Sequence, residues 1–157
     1  MKQYRVTKYN PEFRKADGSY FNDEWTSFSD VGKSVSEDEY KRVENAYIES
    51  AINFLEEQGI SQLKINNLEN AFGEDEPGIE LSNGEVLEVD ALKVVLKSIL
   101  REKYWAKLEN ANAFIHLGYD YYMYVGVPNE SKSAQKFAES KGLFVEEFIS
   151  PYNDNEL

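Results

Sequence analysis

Residues 113–127 hold two adjoining segments whose alternate positions are apolar on both sides of the chain. If Ala113–Tyr119 and Tyr121–Val127 are regular strands, Ile115, Leu117, Met123 and Val125 point one way. Phe114, His116, Tyr122 and Tyr124 point the other way. Such a sheet needs cover on both faces. The aliphatic face calls for helices. The aromatic face calls for something else, and residues 10–35 are the expected source. They carry Phe13, Tyr20, Phe21, Trp25 and Phe28 with no clean period, and a long loop this aromatic is expected to fold down over the sheet. If part of that face stays open, its tyrosines form a recognition surface instead.

Flanking elements follow from caps and periodicity. The alternation from Tyr4 to Tyr9 predicts an N-terminal strand, ended by Asn10-Pro11. Ser36 with Glu39 three residues on reads as a capping box. The helix it opens should run to about Gln58, with Gly59 as its stop. Its apolar stripe is Tyr40, Val43, Tyr47, Ala51, Phe54 and Leu55, and Glu44, Glu49, Glu56 and Glu57 are assigned to the opposite side. Residues 60–69 fit a short strand or an extended connector. Ser82-Asn83-Gly84 between two short apolar runs predicts a small hairpin. A second helix is expected over Asp90–Lys103 and a third over Ser131–Lys141. Strands are expected at Trp105–Glu109 and Leu143–Ile149. The fold class is therefore α+β: one domain over 1–157, a mainly antiparallel sheet, helices packed on one face and a long aromatic N-terminal loop.

Charge is segregated along this chain. Residues 37–90 hold fifteen acidic and three basic groups, which equals the net charge of −12 for all 157 residues. Solubility does not require that concentration, whereas steering toward a basic partner does. The same charge disfavours nucleic acid, whose phosphates repel it. No long apolar run reaches membrane-spanning length, and no apolar h-region follows Met1-Lys2-Gln3-Tyr4-Arg5, so the expected location is cytoplasmic.

Chemistry is constrained by what the sequence omits. It has no cysteine and a single histidine, His116, so thiolate catalysis and a multi-histidine metal site are excluded. No Gly-x-Ser-x-Gly, Gly-x-Gly or P-loop pattern occurs. Glu74-Asp75-Glu76 lacks the alternation of an EF-hand loop. The expectation is a protein that is not an enzyme, with no catalytic residue, no metal ligand and no cofactor. His116 is expected to be a satisfied sheet histidine or an interface hydrogen bonder.

The segments Tyr4–Pro11, Glu24–Gly32 and Phe114–Gly126 resemble those of small acidic bacterial proteins. Size, acidity and α+β character also resemble the immunity proteins of polymorphic and contact-dependent toxin systems. That resemblance implies an inhibitor that occludes a basic toxin domain, often a nuclease, and it assigns no site residue. From the charge pattern, Glu56, Glu57, Glu69, Glu74, Asp75, Glu76 and Glu80 are expected to pair with basic residues of the partner. His116, Tyr122 and Tyr124 are expected to add aromatic contacts. The alternatives are a regulatory adaptor with another protein partner and a carboxylate-dependent metal hydrolase.

Overall fold

Ser36 opens the longest element. Its hydroxyl accepts from the Glu39 N–H at 3.1 Å and caps α1 (Glu37–Glu57). The Glu39 carboxylate turns to Arg42 rather than back to the cap. The computed structural model describes residues 1–20 and 24–153. Phe21, counted above among the covering aromatics, lies outside the described residues.

All three helices end in the same hydrogen-bond pattern. After α1, the Ile60 N–H donates to Leu55 and the Gly59 N–H to Glu56. After α3 (Lys132–Ser140), Leu143 donates to Ala138 and Gly142 to Glu139. After α2 (Val89–Leu100), Lys103 donates to Ser98 and Glu102 to Ile99. These are Schellman endings, which place one residue in the left-handed region. In α1 and α3 that residue is glycine, at φ +71° and +87°. In α2 it is Glu102, at φ +62°. The helix predicted to reach Lys103 therefore stops at Leu100, without the glycine that would have signalled it.

Seven strands form one sheet: β1 (Lys2–Thr7), β2 (Gln62–Glu69), β3 (Val86–Glu88), β4 (Trp105–Glu109), β5 (Phe114–Leu117), β6 (Met123–Val127) and β7 (Phe144–Glu147). Their order is β3-β2-β4-β5-β6-β1-β7, and every neighbouring pair is antiparallel. Of residues 60–69, Gln62–Glu69 are thus a true strand. The predicted hairpin does not form: Ile79–Leu81 is not a strand, and β3 pairs with Gln62–Lys64 of β2. The Gly84 N–H donates to the Ile65 carbonyl at 2.7 Å, so the Asn-Gly turn lays the chain back onto β2.

The register Ile115↔Val125 and Leu117↔Met123 sets the aliphatic face against the helices, as alternation requires. Tyr4, Val6, Leu63, Ile65, Leu108, Ile115 and Val125 are buried there with Phe54, Leu55, Leu92, Leu96 and Ala134. Glu44 does not lie on the outer side of α1. It is 1% exposed, accepts from the Tyr40 hydroxyl, and holds Arg101 through two bonds of 2.8 and 2.9 Å. A carboxylate reaches that depth because a guanidinium and a phenol satisfy it.

Among the described residues, the loop covers the aromatic face only at Tyr122, whose hydroxyl Tyr20 reaches. The segment after β7 covers the rest. Phe148 lies 5.8 Å from Tyr124, and Tyr152 approaches Tyr124 at 5.9 Å and His116 edge-on at 6.1 Å. Phe114 stacks on His116 at 4.1 Å, across a Gly126 where a Cβ would come within 2.2 Å of the Phe114 ring. Trp25 and Phe28 go to the helix side instead, meeting Tyr40 at 5.5 and 5.1 Å. Tyr20 stacks on Tyr9 at 5.2 Å.

Phe54 is fully buried against Tyr4, at 5.3 Å between rings. Phe54→Ala should lower stability by about 3–5 kcal/mol, read as an earlier midpoint in urea unfolding.

Candidate functional site

Between β5 and β6 the chain makes a turn that ordinary residues avoid. Asp120 and Tyr121 both sit at φ +65° and neither is glycine. Each such residue costs about 1–2 kcal/mol. Side chains from distant segments hold the turn in place. The Tyr9 hydroxyl donates to the Asp120 carbonyl at 2.6 Å. The Tyr47 hydroxyl donates to the Tyr121 carbonyl at 2.7 Å and accepts from the Lys8 N–H at 2.8 Å. The Trp105 indole N–H donates to Leu117 at 2.6 Å. The Tyr121 hydroxyl donates to Leu100, tying the turn to the end of α2.

Locked in this way, the turn forms one wall of a pocket of about 210 Å³. The end of α2 forms the second wall and residues 69–72 the third. Of the four left-handed non-glycine residues among the described residues, Glu102, Asp120 and Tyr121 line it. Backbone strain gathers where a site has to be pre-set.

The lining is aromatic and acidic. Tyr104, Trp105 and Tyr121 contribute to the floor, while Phe72 and Tyr119 stand at 78% and 69% exposure. These two large rings stand outside the core, beside an apolar floor. Glu69, Glu102 and Asp120 supply carboxylates, against Lys103 as the basic residue among the lining. Burial pushes the Tyr104 hydroxyl well up from its ordinary range, and the carboxylates of Glu76 and Glu74 push the same way. Tyr121 is raised chiefly by burial, with Glu44 and Glu102 adding to it. Both hydroxyls are spent inside the protein, Tyr104 on Glu76 and Tyr121 on the Leu100 carbonyl.

The residues expected to bind a partner do not gather together. Glu69 closes β2 opposite Trp105, on the pocket side. Glu74 and Asp75 follow on the adjoining loop, Glu74 half-buried and Asp75 exposed. Glu76 is committed internally: its Oε1 accepts from the Ser98 and Tyr104 hydroxyls. Glu80 is exposed on the stretch returning to β3. Glu56 and Glu57 lie beyond the other end of β2, where Glu57 accepts from the Ala134 N–H at 2.7 Å and caps α3. The eight residues of β2 run between the two groups, roughly 26 Å of extended chain.

The other three expected residues lie under cover or beside it. His116 is fully buried, Tyr124 is 6% exposed and Tyr122 is half-buried. His116 sits in a line of polar groups, its Nδ1 2.7 Å from the Ser150 hydroxyl and its Nε2 2.7 Å from Glu109. Serine, histidine and carboxylate in one line are also the parts of a hydrolase triad. Here the serine is 3% exposed and accepts from the Tyr152 N–H at 3.1 Å. The line latches the C-terminal segment onto the sheet and presents no nucleophile.

Among the described residues, no group of three or more His, Asp or Glu side chains converges to hold a metal ion, and no helix is long and apolar enough to cross a membrane. The chain matches no family model, no curated protein and no solved structure. The pocket's main residues, Phe72, Glu102, Tyr119 and Asp120, were missed in the sequence. Glu102 and Asp120 come to the pocket through left-handed backbone that no glycine marks.

Two substitutions separate strain from support. Glu102→Gly puts the normal residue at a Schellman position and should raise stability by about 1 kcal/mol in denaturant unfolding. Tyr47→Phe strands the Lys8 N–H and the Tyr121 carbonyl, and should cost about 2–4 kcal/mol. Amide exchange over residues 119–122 should then quicken more than in the sheet.

Proposed function

We propose that this chain is a protein-binding module that grips a basic partner at the acid-rimmed aromatic pocket, and that it serves as an immunity-type inhibitor of such a partner. The observation that carries the reading is the pocket: exposed Phe72 and Tyr119 beside Glu69, Glu102 and Asp120, on a strained turn held by Tyr9 and Tyr47. An aromatic anchor on a turn whose backbone is already held lowers the ordering cost of binding, and surrounding carboxylates steer a cationic surface toward it. The net charge of −12 adds long-range attraction for a basic protein.

Inhibition would follow by occlusion. A toxin domain that handles nucleic acid presents cations in its cleft, and a negative, aromatic surface seated there blocks substrate without chemistry of its own. A regulatory adaptor would use the same surface on a different basic protein. The carboxylate-hydrolase alternative has no converging carboxylates to stand on among the described residues.

Affinity capture from the native cell tests this reading, comparing the wild type with a Glu69→Lys/Asp120→Lys variant of unchanged thermal stability. The expected result is a basic protein retained by the wild type, lost by the variant, and released as salt rises. For the inhibitor reading, that protein should be toxic alone and silent when the chain is co-expressed. Equal retention by both forms would remove the pocket from the interface. A partner harmless without the chain would favour the adaptor.

A further inference from the structure

The molecule repeatedly holds its own cations in one way, with an aromatic face on one side and a carboxylate on the other. Lys8 Nζ lies 4.2 Å from the centroids of Tyr9 and Trp25 and 3.2 Å from Glu24. The Arg5 guanidinium lies 4.0 Å over Phe148 and 3.2 Å from Glu146. Arg14 lies 5.7 Å from the Tyr20 ring and binds both oxygens of Glu146, at 3.0 and 2.8 Å. Arg101 lies 5.2 Å from Phe28 and takes both oxygens of Glu44. Lys141 is held the same way more loosely, 5.3 Å from Phe137 and 3.8 Å from Glu49. Of these five cations three are arginines, and Arg14 and Arg101 make paired bonds to one carboxylate.

The pocket offers the same two chemistries to something outside the chain. Phe72, Trp105 and Tyr119 supply rings, and Glu69, Glu102 and Asp120 supply carboxylates. Three acids against one lysine leave the lining negative. An apolar side chain would leave those carboxylates without a partner. An ammonium can lie against rings, as Lys8 does, but it meets a carboxylate as a point charge with no paired geometry. A guanidinium is planar and weakly hydrated, stacks on a ring, and takes a carboxylate through two parallel bonds. A volume of about 210 Å³ has room for one such side chain with its methylene stem against the floor.

We infer that the pocket is an arginine receptor: the basic partner inserts a single arginine side chain between the exposed rings and the carboxylates of Glu69, Glu102 and Asp120. This rests on the pocket being the contact for that partner. It adds which residue of the partner enters, and so which substitution on the partner's side should abolish the complex.

The test uses the full chain labelled with nitrogen-15 and three blocked tripeptides, Ac-Gly-Arg-Gly-NH2, Ac-Gly-Lys-Gly-NH2 and Ac-Gly-Gln-Gly-NH2, titrated at low salt. The arginine peptide should shift the Trp105 indole and the amides of residues 72, 102 and 119–121. It should bind at least tenfold more tightly than the lysine peptide, and the glutamine peptide should leave the spectrum unchanged. Phe72→Ala and Asp120→Asn, both at exposed positions, should each weaken it about threefold or more while leaving the remaining spectrum in place. Equal binding of the lysine peptide would overturn the arginine assignment, as would shifts scattered over other acidic positions or no shift at all. None of those outcomes touches the capture experiment, where loss of the partner by the Glu69→Lys/Asp120→Lys variant stands or falls alone. If capture depends on the pocket and the arginine peptide fails, the surface is right and the anchor is wrong.

Discussion

Two consecutive left-handed residues without glycine persist only where their surroundings leave no other choice. At Asp120 and Tyr121 the surroundings are phenols: Tyr9 and Tyr47 each donate to a carbonyl of the turn. Those phenols arrive from β1's end and from the middle of α1, so the turn is fixed by the packing of the whole domain. The position of the Tyr119 ring and of the Asp120 carboxylate depends on those bonds. So does the wall that the turn shares with the end of α2.

Glu102 makes the same point from the other wall. Three helices end alike, and only the one bordering the pocket ends without glycine. A residue that costs stability where glycine would cost little is best explained by what its side chain does. Here the side chain is a carboxylate on the pocket lining, and its charge adds to the negative field felt by Tyr121. Strain, charge and exposed aromatic area therefore coincide at one place. The latch of Ser150, His116 and Glu109 does different work, holding the C-terminal cover over the opposite face of the sheet.

Where the local chemistry was complete, the fold was legible. Ser36, Gly59 and Gly142 bracket helices that form within a residue or so of expectation. The alternation gave the correct two faces over Phe114–Leu117 and Met123–Val127, where both strands are regular, but the expected strands ran on to Tyr119 and from Tyr121, which lie in the left-handed turn. It showed that the aromatic face needed a cover but could not choose which segment supplies it. Phe148 and Tyr152 took that place, while Trp25 and Phe28 went to Tyr40, and such choices are settled by packing between distant residues. The site was less legible. The acidic middle of the chain is real in sequence, yet β2 carries it from one end of the sheet to the other. Glu56 and Glu57 therefore part from Glu69 and Glu74. Glu102 and Asp120 join the second group from outside the acidic stretch.

Hydrogen exchange on the complex with a captured basic partner tests the central claim most directly. Slowed exchange at residues 69–72, 102–105 and 118–122, with the Glu56–Glu57 end unchanged, is the result this account predicts. Protection confined to that far end, or to the sheet edge at β7, would contradict it.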